Sequence, residues 1–234
     1  MKVVILAGGL GTRLREETEF KPKPLVEIGG KPIIWHLIKY YEQAGVREFI
    51  VCAGYKGEML IDYFAKETDL KHLGVQVVQT GEFTNTGERI RLIEEFVERE
   101  SFYCTYGDGL ANINLNEVLL SHKSMNKIGT LCSTRPVSRF GVLELDANNQ
   151  VKYFREKPIM NSWVNIGFFI FNGEIFDHIK TNVSLETEVL TKLAGLNELN
   201  AFKHEGFWQP MDTYREALIL NELWTSGEAP WKIW

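Results

Sequence analysis

The sequence lacks several features that define whole classes of proteins. Its three cysteines, Cys52, Cys104 and Cys132, are far apart, so they show neither the spacing of zinc ligands nor the even count of a disulfide framework. No apolar run approaches the length of a membrane span, and the first apolar run is too short for a signal peptide. These absences predict a cytoplasmic protein, not bound to a membrane, whose cysteines are buried, reduced thiols.

Basic residues do not cluster, and the net charge of the 234 residues is −5. Nucleic acid is therefore not expected as a partner, because no block of lysine and arginine offsets the negative charge. Linkers, repeats and low-complexity segments are also missing. The chain is long enough for a large core, and we predict a single domain over residues 1–234.

Apolar runs typical of buried strands alternate with helical patterns in the first half of the chain. Strands are predicted at Val3–Leu6, Phe49–Cys52, Val75–Val78 and Phe102–Tyr106, and helices at Pro32–Gln43, Glu58–Ala65 and Glu88–Val97. This alternation predicts a mostly parallel sheet with right-handed crossovers.

The second half of the chain has strand-like runs with short connections. These runs are Gly129–Arg135, Val142–Leu145, Val151–Phe154 and Trp163–Phe171, and helices are predicted at Glu174–Ile179, Leu185–Ala194 and Thr213–Trp224. Short connections favour antiparallel pairing. The prediction for the whole chain is an α/β fold with a mostly parallel, mixed sheet flanked by helices.

A glycine-rich turn after the first strand is the most informative stretch. The turn and its surroundings contain Gly8, Gly9, Gly11, Thr12, Arg13 and the segment Lys21–Pro24. Glycines let backbone N–H groups approach phosphate oxygens, and Arg13 and Lys23 add positive charge beside them. The turn lacks the Lys-Ser/Thr ending of a Walker loop, and Leu14 replaces the third glycine of the dinucleotide fingerprint. The stretch predicts a site for a nucleoside triphosphate, with a purely structural corner as the alternative.

Two aspartates are candidate ligands of a divalent metal ion. Asp108 follows a buried strand between two glycines, and Asp212 precedes the last predicted helix. Mg²⁺ prefers one or two carboxylates, with substrate phosphates and water completing its shell. The alternatives are a turn in which Asp108 accepts backbone hydrogen bonds, and a helix N-cap at Asp212 or Thr213.

Three further residues suggest a second anionic or sugar ligand. Lys157 follows a predicted strand and offers an ammonium group, although a lysine on a solvated turn is the alternative. Asn165 and Gly167 lie in an apolar run where packing alone would favour Val or Ile. Sugar hydroxyls close to the strand would explain both residues, and so would a β-bulge.

Six motifs together resemble the sugar-1-phosphate nucleotidyltransferases. They are Leu6–Leu14, Lys21–Pro24, Tyr106–Gly109, Arg139–Gly141, Glu156–Pro158 and Phe207–Thr213. The loop Thr80–Arg89 and the final Ala229–Trp234 are similar to the same family, so the resemblance runs nearly end to end. The first motif marks the superfamily, whereas Tyr106–Gly109 and Phe207–Thr213 favour the branch that transfers a cytidylyl group to glucose 1-phosphate.

The resemblance implies a Rossmann-like fold of the nucleotide-diphospho-sugar transferase type. Its nucleotide-binding part would cover residues 1–110, its sugar-binding part residues 111–215, and its C-terminal helix and tail residues 213–234. CTP and a sugar 1-phosphate would be the substrates and Mg²⁺ the cofactor. The resemblance implies that the nucleotide contacts Leu6, Ala7, Gly8, Gly9, Leu10, Gly11, Thr12, Arg13, Lys23, Thr84, Arg89 and Gly107. It implies a sugar-phosphate site of Gly141, Glu156, Lys157 and Asn165, metal ligands Asp108 and Asp212, and catalytic roles for these two aspartates, Arg13 and Lys23.

Two stretches depart from the pattern of that branch. The segment from Phe64 to Thr80 is shorter than in the branch, where an inserted segment helps to build an oligomer, so the number of subunits stays open. Ile166 stands where the branch has glycine, which leaves the identity of the sugar open as well. The alternatives are the same chemistry with GTP, UTP, dTTP or another sugar phosphate, and a nucleotide-sugar sensor without turnover.

Overall fold

A seven-stranded sheet forms the centre of the protein. We describe a computed structural model, which covers the backbone of residues 1–234 and all side chains other than those of Arg13, Arg15 and Glu16. The strands are β1 (Val3–Ala7), β2 (Glu27–Ile28), β3 (Lys31–Pro32), β4 (Glu48–Ala53), β5 (Gly74–Gln79), β6 (Phe102–Tyr106), β7 (Gly109–Ala111), β8 (Gly129–Thr134), β9 (Val142–Leu145), β10 (Val151–Arg155), β11 (Val164–Phe171), β12 (Leu199–Lys203) and β13 (Trp208–Pro210).

Helices connect these strands and cover both faces of the sheet. The α-helices are α1 (Arg15–Thr18), α2 (Ile33–Gln43), α3 (Gly57–Lys66), α4 (Thr86–Arg91), α5 (Glu94–Val97), α6 (Leu115–Met125), α7 (Thr191–Gly195) and α8 (Tyr214–Thr225). Short 3₁₀ helices cover Thr12–Leu14, Lys23–Leu25 and Gly173–His178, and a π-helix covers Leu185–Leu190. Within the described part of the chain, none of the helices has both the length and the apolar character that a membrane crossing requires.

The order of the strands in the sheet is β12, β8, β11, β6, β1, β4, β5. β1 pairs in parallel with β4 and β6, β4 with β5, and β12 with β8. β11 runs antiparallel to both β6 and β8. The predicted mostly parallel, mixed sheet is therefore confirmed, and the antiparallel strand lies in the second half of the chain as expected.

β1 is buried on both faces of the sheet. Val3, Ile5 and Ala7 belong to the apolar cluster that includes α2, whereas Val4 and Leu6 belong to the cluster on the other face. This alternation is what a strand between two helical layers requires. The three cysteines are buried and unpaired, as predicted.

The residues near the end of the chain pack against α2. Trp231 is fully buried, and its ring lies 5.6 Å from the ring of Phe207 between centroids. The Nε1–H group of Trp231 donates to Nδ1 of His36 at 3.3 Å, and Nε2 of His36 lies 2.8 Å from the carbonyl oxygen of Ile28. These two contacts suit a neutral His36, and its burial lowers the pKa of His36 to about 4.

The structure differs from the sequence predictions mainly where segments are short. The predicted helix over Glu88–Val97 is divided into α4 and α5, and the one over Leu185–Ala194 begins as a π-helix. Seven of the strands and α-helices were not predicted: α1, β2, β3, α6, β7, β12 and β13. β7 and β13 have three residues each and pair only with one another, so the chain contains too little periodicity to reveal them.

Candidate active site

Two adjoining cavities open where β1 and β6 end. The first cavity, of about 490 Å³, is lined by Leu6–Thr12, Lys23, Pro24, Thr84–Thr86, Arg89, Tyr106–Asp108, Ser184 and Glu186. The second cavity, of about 270 Å³, is lined by Thr105, Tyr106, Asp108, Gly109, Asn165–Phe168, Trp208, Pro210 and Asp212. Tyr106 and Asp108 line both cavities, so these two residues form the boundary between them. The carboxyl end of a mostly parallel sheet is where ligands bind in open α/β folds.

The glycine-rich turn forms one wall of the first cavity. Gly11 has a φ of +65°, and a Cβ atom there would lie 2.8 Å from Cγ2 of Thr18, so glycine is required. Thr18 holds the turn, because its hydroxyl donates to the carbonyl oxygens of Gly11 and Leu14 at 3.0 and 2.9 Å. Among the atoms that the structure describes, none lies within 4 Å of the place of a Cβ atom on Gly9, so this side of the turn borders open space.

Arg89 lies beneath the same turn and is only 3% exposed. Its guanidinium donates to the carbonyl oxygens of Gly8 (3.0 Å), Ala53 (3.2 Å) and Gly81 (2.9 Å), and to the hydroxyl of Thr80 (2.6 Å). These acceptors are neutral, and burial lowers the pKa of Arg89 from its usual value. Arg89 therefore lines the first cavity, and it also ties the glycine turn to the ends of β4 and β5.

Lys23 brings the two candidate metal ligands together. Its Nζ atom lies 2.7 Å from Oδ2 of Asp108 and 2.7 Å from Oδ1 of Asp212. These two carboxylate oxygens are therefore separated by no more than twice that distance. Asp108 follows β6 and Asp212 follows β13, so strand pairing between β7 and β13 supports the approach of two residues far apart in the sequence.

The two carboxylates supply the hard oxygen donors that a divalent cation such as Mg²⁺ prefers, and a cation bound between them would take the place of the Lys23 ammonium on which both now converge. Among the residues that the structure describes, no group of three or more His, Cys, Asp or Glu side chains forms a metal site. A metal ion here would thus need oxygens from water or from a bound phosphate to complete its shell. Arg13, which the resemblance places beside the phosphates, has a side chain outside the described residues.

The helix-capping alternative applies to Thr213 rather than to Asp212. Thr213 is the N-cap of α8, and its hydroxyl accepts a hydrogen bond from the backbone N–H of Glu216. The carboxylates of Asp212 and Asp108 instead both accept from Lys23, while the backbone carbonyl of Asp108 accepts from the N–H of Met211 at 2.8 Å. Both aspartates therefore face the boundary of the two cavities.

The second cavity is shaped by an irregularity in β11. The pairing register of β11 with β8 shifts between Asn165 and Phe169, so the β-bulge alternative is confirmed. Gly167 lies in this bulge with a φ of +80°, and a Cβ atom there would overlap the Tyr106 ring. Oδ1 of Asn165 accepts from the Gly167 N–H at 2.9 Å. The bulge thus makes room for Tyr106, while Asn165 and the buried Ile166 line the second cavity.

The other predicted sugar-phosphate residues lie on a separate hairpin formed by β9 and β10. A Cβ atom on Gly141 would lie 3.1 Å from Oε2 of Glu156, so these two residues are neighbours. The side chain of Lys157 is 59% exposed, and its Nζ lies 4.0 Å from Oε1 of Glu156. Gly141, Glu156 and Lys157 therefore form one group outside the walls of the two cavities, and Lys157 lies on a solvated turn.

Glu186 is a cavity residue that the sequence analysis missed. Its carboxylate accepts hydrogen bonds from the hydroxyls of Thr86 (2.6 Å), Ser184 (2.8 Å) and Tyr106 (2.5 Å). Burial alone would raise the pKa of Glu186, but these hydrogen bonds keep its pKa below the usual value. Two of the three donors, Thr86 and Tyr106, are 100 and 80 residues away in the sequence, so only the folded structure reveals this site.

Comparisons with known proteins agree with the fold and with the motifs. Residues 2–210 match the profile of the nucleotidyl transferases. The chain is 44% identical to glucose-1-phosphate cytidylyltransferase from Salmonella typhi over 257 aligned residues, which covers 100% of both chains. It is 34% identical to mannose-1-phosphate guanyltransferase 2 from Candida glabrata over 91% of this chain and 62% of that protein.

The fold of this chain is also similar to that of a protein of known structure. HddC from Yersinia pseudotuberculosis superposes with a TM-score of 0.78 and 27% identity, covering 95% of this chain and 99% of HddC. The Salmonella alignment is 23 positions longer than the 234 residues of this chain, so that relative contains residues without a counterpart here. Only residues 67–73 connect α3 and β5, in the segment where the sequence analysis expected a shortening.

Proposed function

Because the chain belongs to the nucleotidyl transferase family, we propose that it transfers the cytidylyl group of CTP to glucose 1-phosphate. The products would be CDP-glucose and pyrophosphate. The proposed substrates rest on the relative from Salmonella typhi, which shares 44% of its residues over the full length of both chains. We expect the reaction to take place in the cytoplasm, and the buried, unpaired cysteines agree with a reducing compartment.

The main support for this proposal is that the carboxylates of Asp108 and Asp212 both contact the ammonium group of Lys23. Both carboxylates lie 2.7 Å from one ammonium group at the boundary of the two cavities. A nucleotidyl transfer needs the α-phosphate of the nucleotide and the phosphate of the sugar to approach one another there. The glycine turn borders the first cavity and Asn165 the second, so we assign the nucleotide to the first cavity and the sugar to the second.

In the proposed reaction, a phosphate oxygen of glucose 1-phosphate attacks the α-phosphorus of CTP in line with the leaving group. A new P–O bond forms, and the bond between the α-phosphorus and the bridging oxygen breaks, so the electron pair leaves with pyrophosphate. The attacking oxygen is already anionic, which means that no general base is needed. Positioning and charge neutralisation would supply most of the rate enhancement.

The residues of this chain have distinct parts in that scheme. Backbone N–H groups of the glycine turn and the ammonium of Lys23 would donate to the phosphates of CTP, and Arg13 is assigned to the same phosphates. We assign Lys157, with Glu156 and Gly141 beside it, to the sugar phosphate; because the three lie outside the walls of both cavities, the hairpin that bears them would have to approach the second cavity when the sugar phosphate binds. Asp108 and Asp212 would hold Mg²⁺, whose charge would reduce the repulsion between the two phosphates.

A pyrophosphate-release assay tests the proposal. Purified protein is incubated with MgCl₂, one of the nucleotides CTP, GTP, UTP or dTTP, and one of several sugar 1-phosphates. We expect turnover with CTP and glucose 1-phosphate to exceed every other pair by at least about tenfold, the selectivity that a few lost contacts produce. Omission of either substrate is the control for hydrolysis of the nucleotide.

Two other outcomes would identify the alternatives. Faster turnover of GTP with mannose 1-phosphate would place the protein nearer in activity to the relative from Candida glabrata. Binding of CTP without turnover of any pair would indicate a nucleotide-sugar sensor. Either outcome would overturn the proposed activity.

A further inference from the structure

Glu216 lies four residues after Asp212, in the first turn of α8. Its Oε2 atom accepts hydrogen bonds from the backbone N–H groups of Asp212 at 2.8 Å and Thr213 at 2.9 Å. In return, the Thr213 hydroxyl accepts from the N–H of Glu216 at 3.3 Å. This capping box fixes the direction in which the backbone enters the helix. The backbone that bears the Asp212 carboxylate therefore depends on the position of the Glu216 side chain.

The second oxygen of the same carboxylate is bound by a residue from another part of the fold. Oε1 of Glu216 accepts from Nη2 of Arg139 at 2.7 Å, with side-chain exposures of 12% for Glu216 and 69% for Arg139. The neighbouring Ser138 donates its backbone N–H to the carbonyl of Pro158 at 2.9 Å, so Arg139 lies at the base of the β9–β10 hairpin. One carboxylate thus connects the Asp212 backbone with the hairpin that bears Lys157.

We propose that Glu216 is a positioning residue, and that its ion pair with Arg139 sets the β9–β10 hairpin relative to Asp212. The inference rests on the proposed function, in which Asp212 holds the metal ion and Lys157 binds the sugar phosphate. A displacement of about 1 Å between reacting groups lowers a rate by about 10²-fold, so a connection between these two sites has a direct effect on transfer. Arg139 is 69% exposed, so its removal should cost little stability, and the effect of the ion pair on alignment can be separated from folding.

Replacement of Arg139 tests the connection from the hairpin side. In Arg139→Ala we expect the KM for glucose 1-phosphate to rise at least about fivefold, the lower end of typical coupling between sites. The KM for CTP and the thermal midpoint should stay at their wild-type values, because the nucleotide cavity and the core do not include Arg139. Arg139→Lys retains the positive charge and should recover most of the affinity for the sugar phosphate.

The matched control is Arg155→Ala on the same hairpin. Arg155 is 63% exposed, and its ion pair runs across the two strands to Glu144 at 3.2 Å. Its removal takes away an exposed arginine and an ion pair but leaves the Arg139–Glu216 contact intact. We expect the KM for glucose 1-phosphate to be unchanged in this variant.

Replacement of Glu216 tests the connection from the helix side. Glu216→Gln keeps an oxygen that can accept from the Asp212 and Thr213 N–H groups but removes the charge, so it should reproduce the effect of Arg139→Ala. The double variant should be no worse than either single variant, which is the signature of a shared interaction. Glu216→Ala removes the cap as well, so it should weaken the binding of Mn²⁺ to the protein in the presence of CTP. The concentration of free Mn²⁺ is followed by its electron paramagnetic resonance signal, and more Mn²⁺ should be needed to saturate the metal site of this variant.

The outcomes separate this inference from the proposed function. Absence of pyrophosphate release by the wild-type protein would overturn the proposed function, and the Mn²⁺ titration would still decide whether Glu216 positions Asp212. An active wild-type protein with the same KM for glucose 1-phosphate in Arg139→Ala and Arg155→Ala would overturn the positioning inference alone. Additive effects of Arg139→Ala and Glu216→Gln would also overturn it.

Discussion

Lys23→Met would remove the ammonium group that lies between Asp108 and Asp212. The Lys23 side chain is held in this position, because it is only 10% exposed and both carboxylates lie 2.7 Å from Nζ. Methionine has a similar length and no charge, so the change leaves the shape of the site nearly intact. The two carboxylates then face one another across the boundary of the cavities.

The cost of this substitution can be worked out from the distances. Removal of Lys23 ends its attraction to two carboxylates, each 2.7 Å from Nζ, while the repulsion between the carboxylates remains. Partly exposed ion pairs of this kind contribute up to about 1 kcal/mol each, so we expect a loss of about 1–2 kcal/mol. For a chain of this length, such a loss lowers the thermal midpoint by roughly 2–8 °C.

Thermal unfolding with and without MgCl₂ is the assay. A divalent cation held by the two carboxylates replaces the missing charge, so MgCl₂ should raise the midpoint of Lys23→Met more than that of the wild type. Pyrophosphate release should still fall by about 10²-fold, since the donor to the phosphates is gone.

Lys31→Met is the matched control. Lys31 also lies between two carboxylates, 2.7 Å from Asp69 and 3.4 Å from Glu67, but it lines neither cavity. Its replacement should leave turnover unchanged, and MgCl₂ should not restore its midpoint. An equal response of the two variants to MgCl₂, or wild-type turnover by Lys23→Met, would refute the assignment of Asp108 and Asp212 to one cation site.

Three further predictions concern single side chains. Asp108→Asn should keep the circular dichroism spectrum and lose about 10²-fold in turnover, whereas near-normal turnover would contradict its role as a metal ligand. Lys157→Ala should raise the KM for the sugar phosphate and leave the KM for CTP unchanged in initial-rate measurements; equal changes in both would count against it. The pKa of His36 is lowered to about 4, so the unfolded chain takes up this proton first as the pH falls. Between pH 6.5 and pH 4, the free energy of unfolding should therefore decline by up to about 3 kcal/mol, and urea unfolding of the wild type should show a steeper decline than that of His36→Gln.

The strands in the first half of the chain could be predicted because each is formed by one continuous run of mainly apolar residues. β1, β4 and β5 lie within one residue at either end of the predicted strands, and β6 matches its prediction. β1, β4 and β6 are mostly buried runs of apolar residues, so the local pattern and the final environment agree, whereas β5 is a half-exposed strand at the edge of the sheet. α6 was missed although Asn114 caps it, because its buried residues are few and polar residues separate them.

Long-range contacts were predictable only in part. The glycine turn and the two aspartates could be assigned to one site from their residue types and from the family resemblance. The position of Lys23 between the aspartates could not, since its partners lie 85 and 189 residues away in the sequence. Glu186 was missed for the same reason, because its hydroxyl donors Tyr106 and Thr86 are 80 and 100 residues away.

The packing of Arg89 has a consequence for attempts to redesign the first cavity. A methyl group added to Gly8 would overlap its guanidinium, and one added to Gly54 would lie 2.8 Å from Nη1 of Arg89. Neighbours packed this closely do not vary independently. A mutant library that varies position 8 alone would therefore yield mostly damaged proteins, and productive variants would have to change position 89 in the same step. Position 54 would stay restricted even then, because the carbonyl oxygens of Gly8 and Gly81 would lie 2.6 and 2.8 Å from the added methyl group.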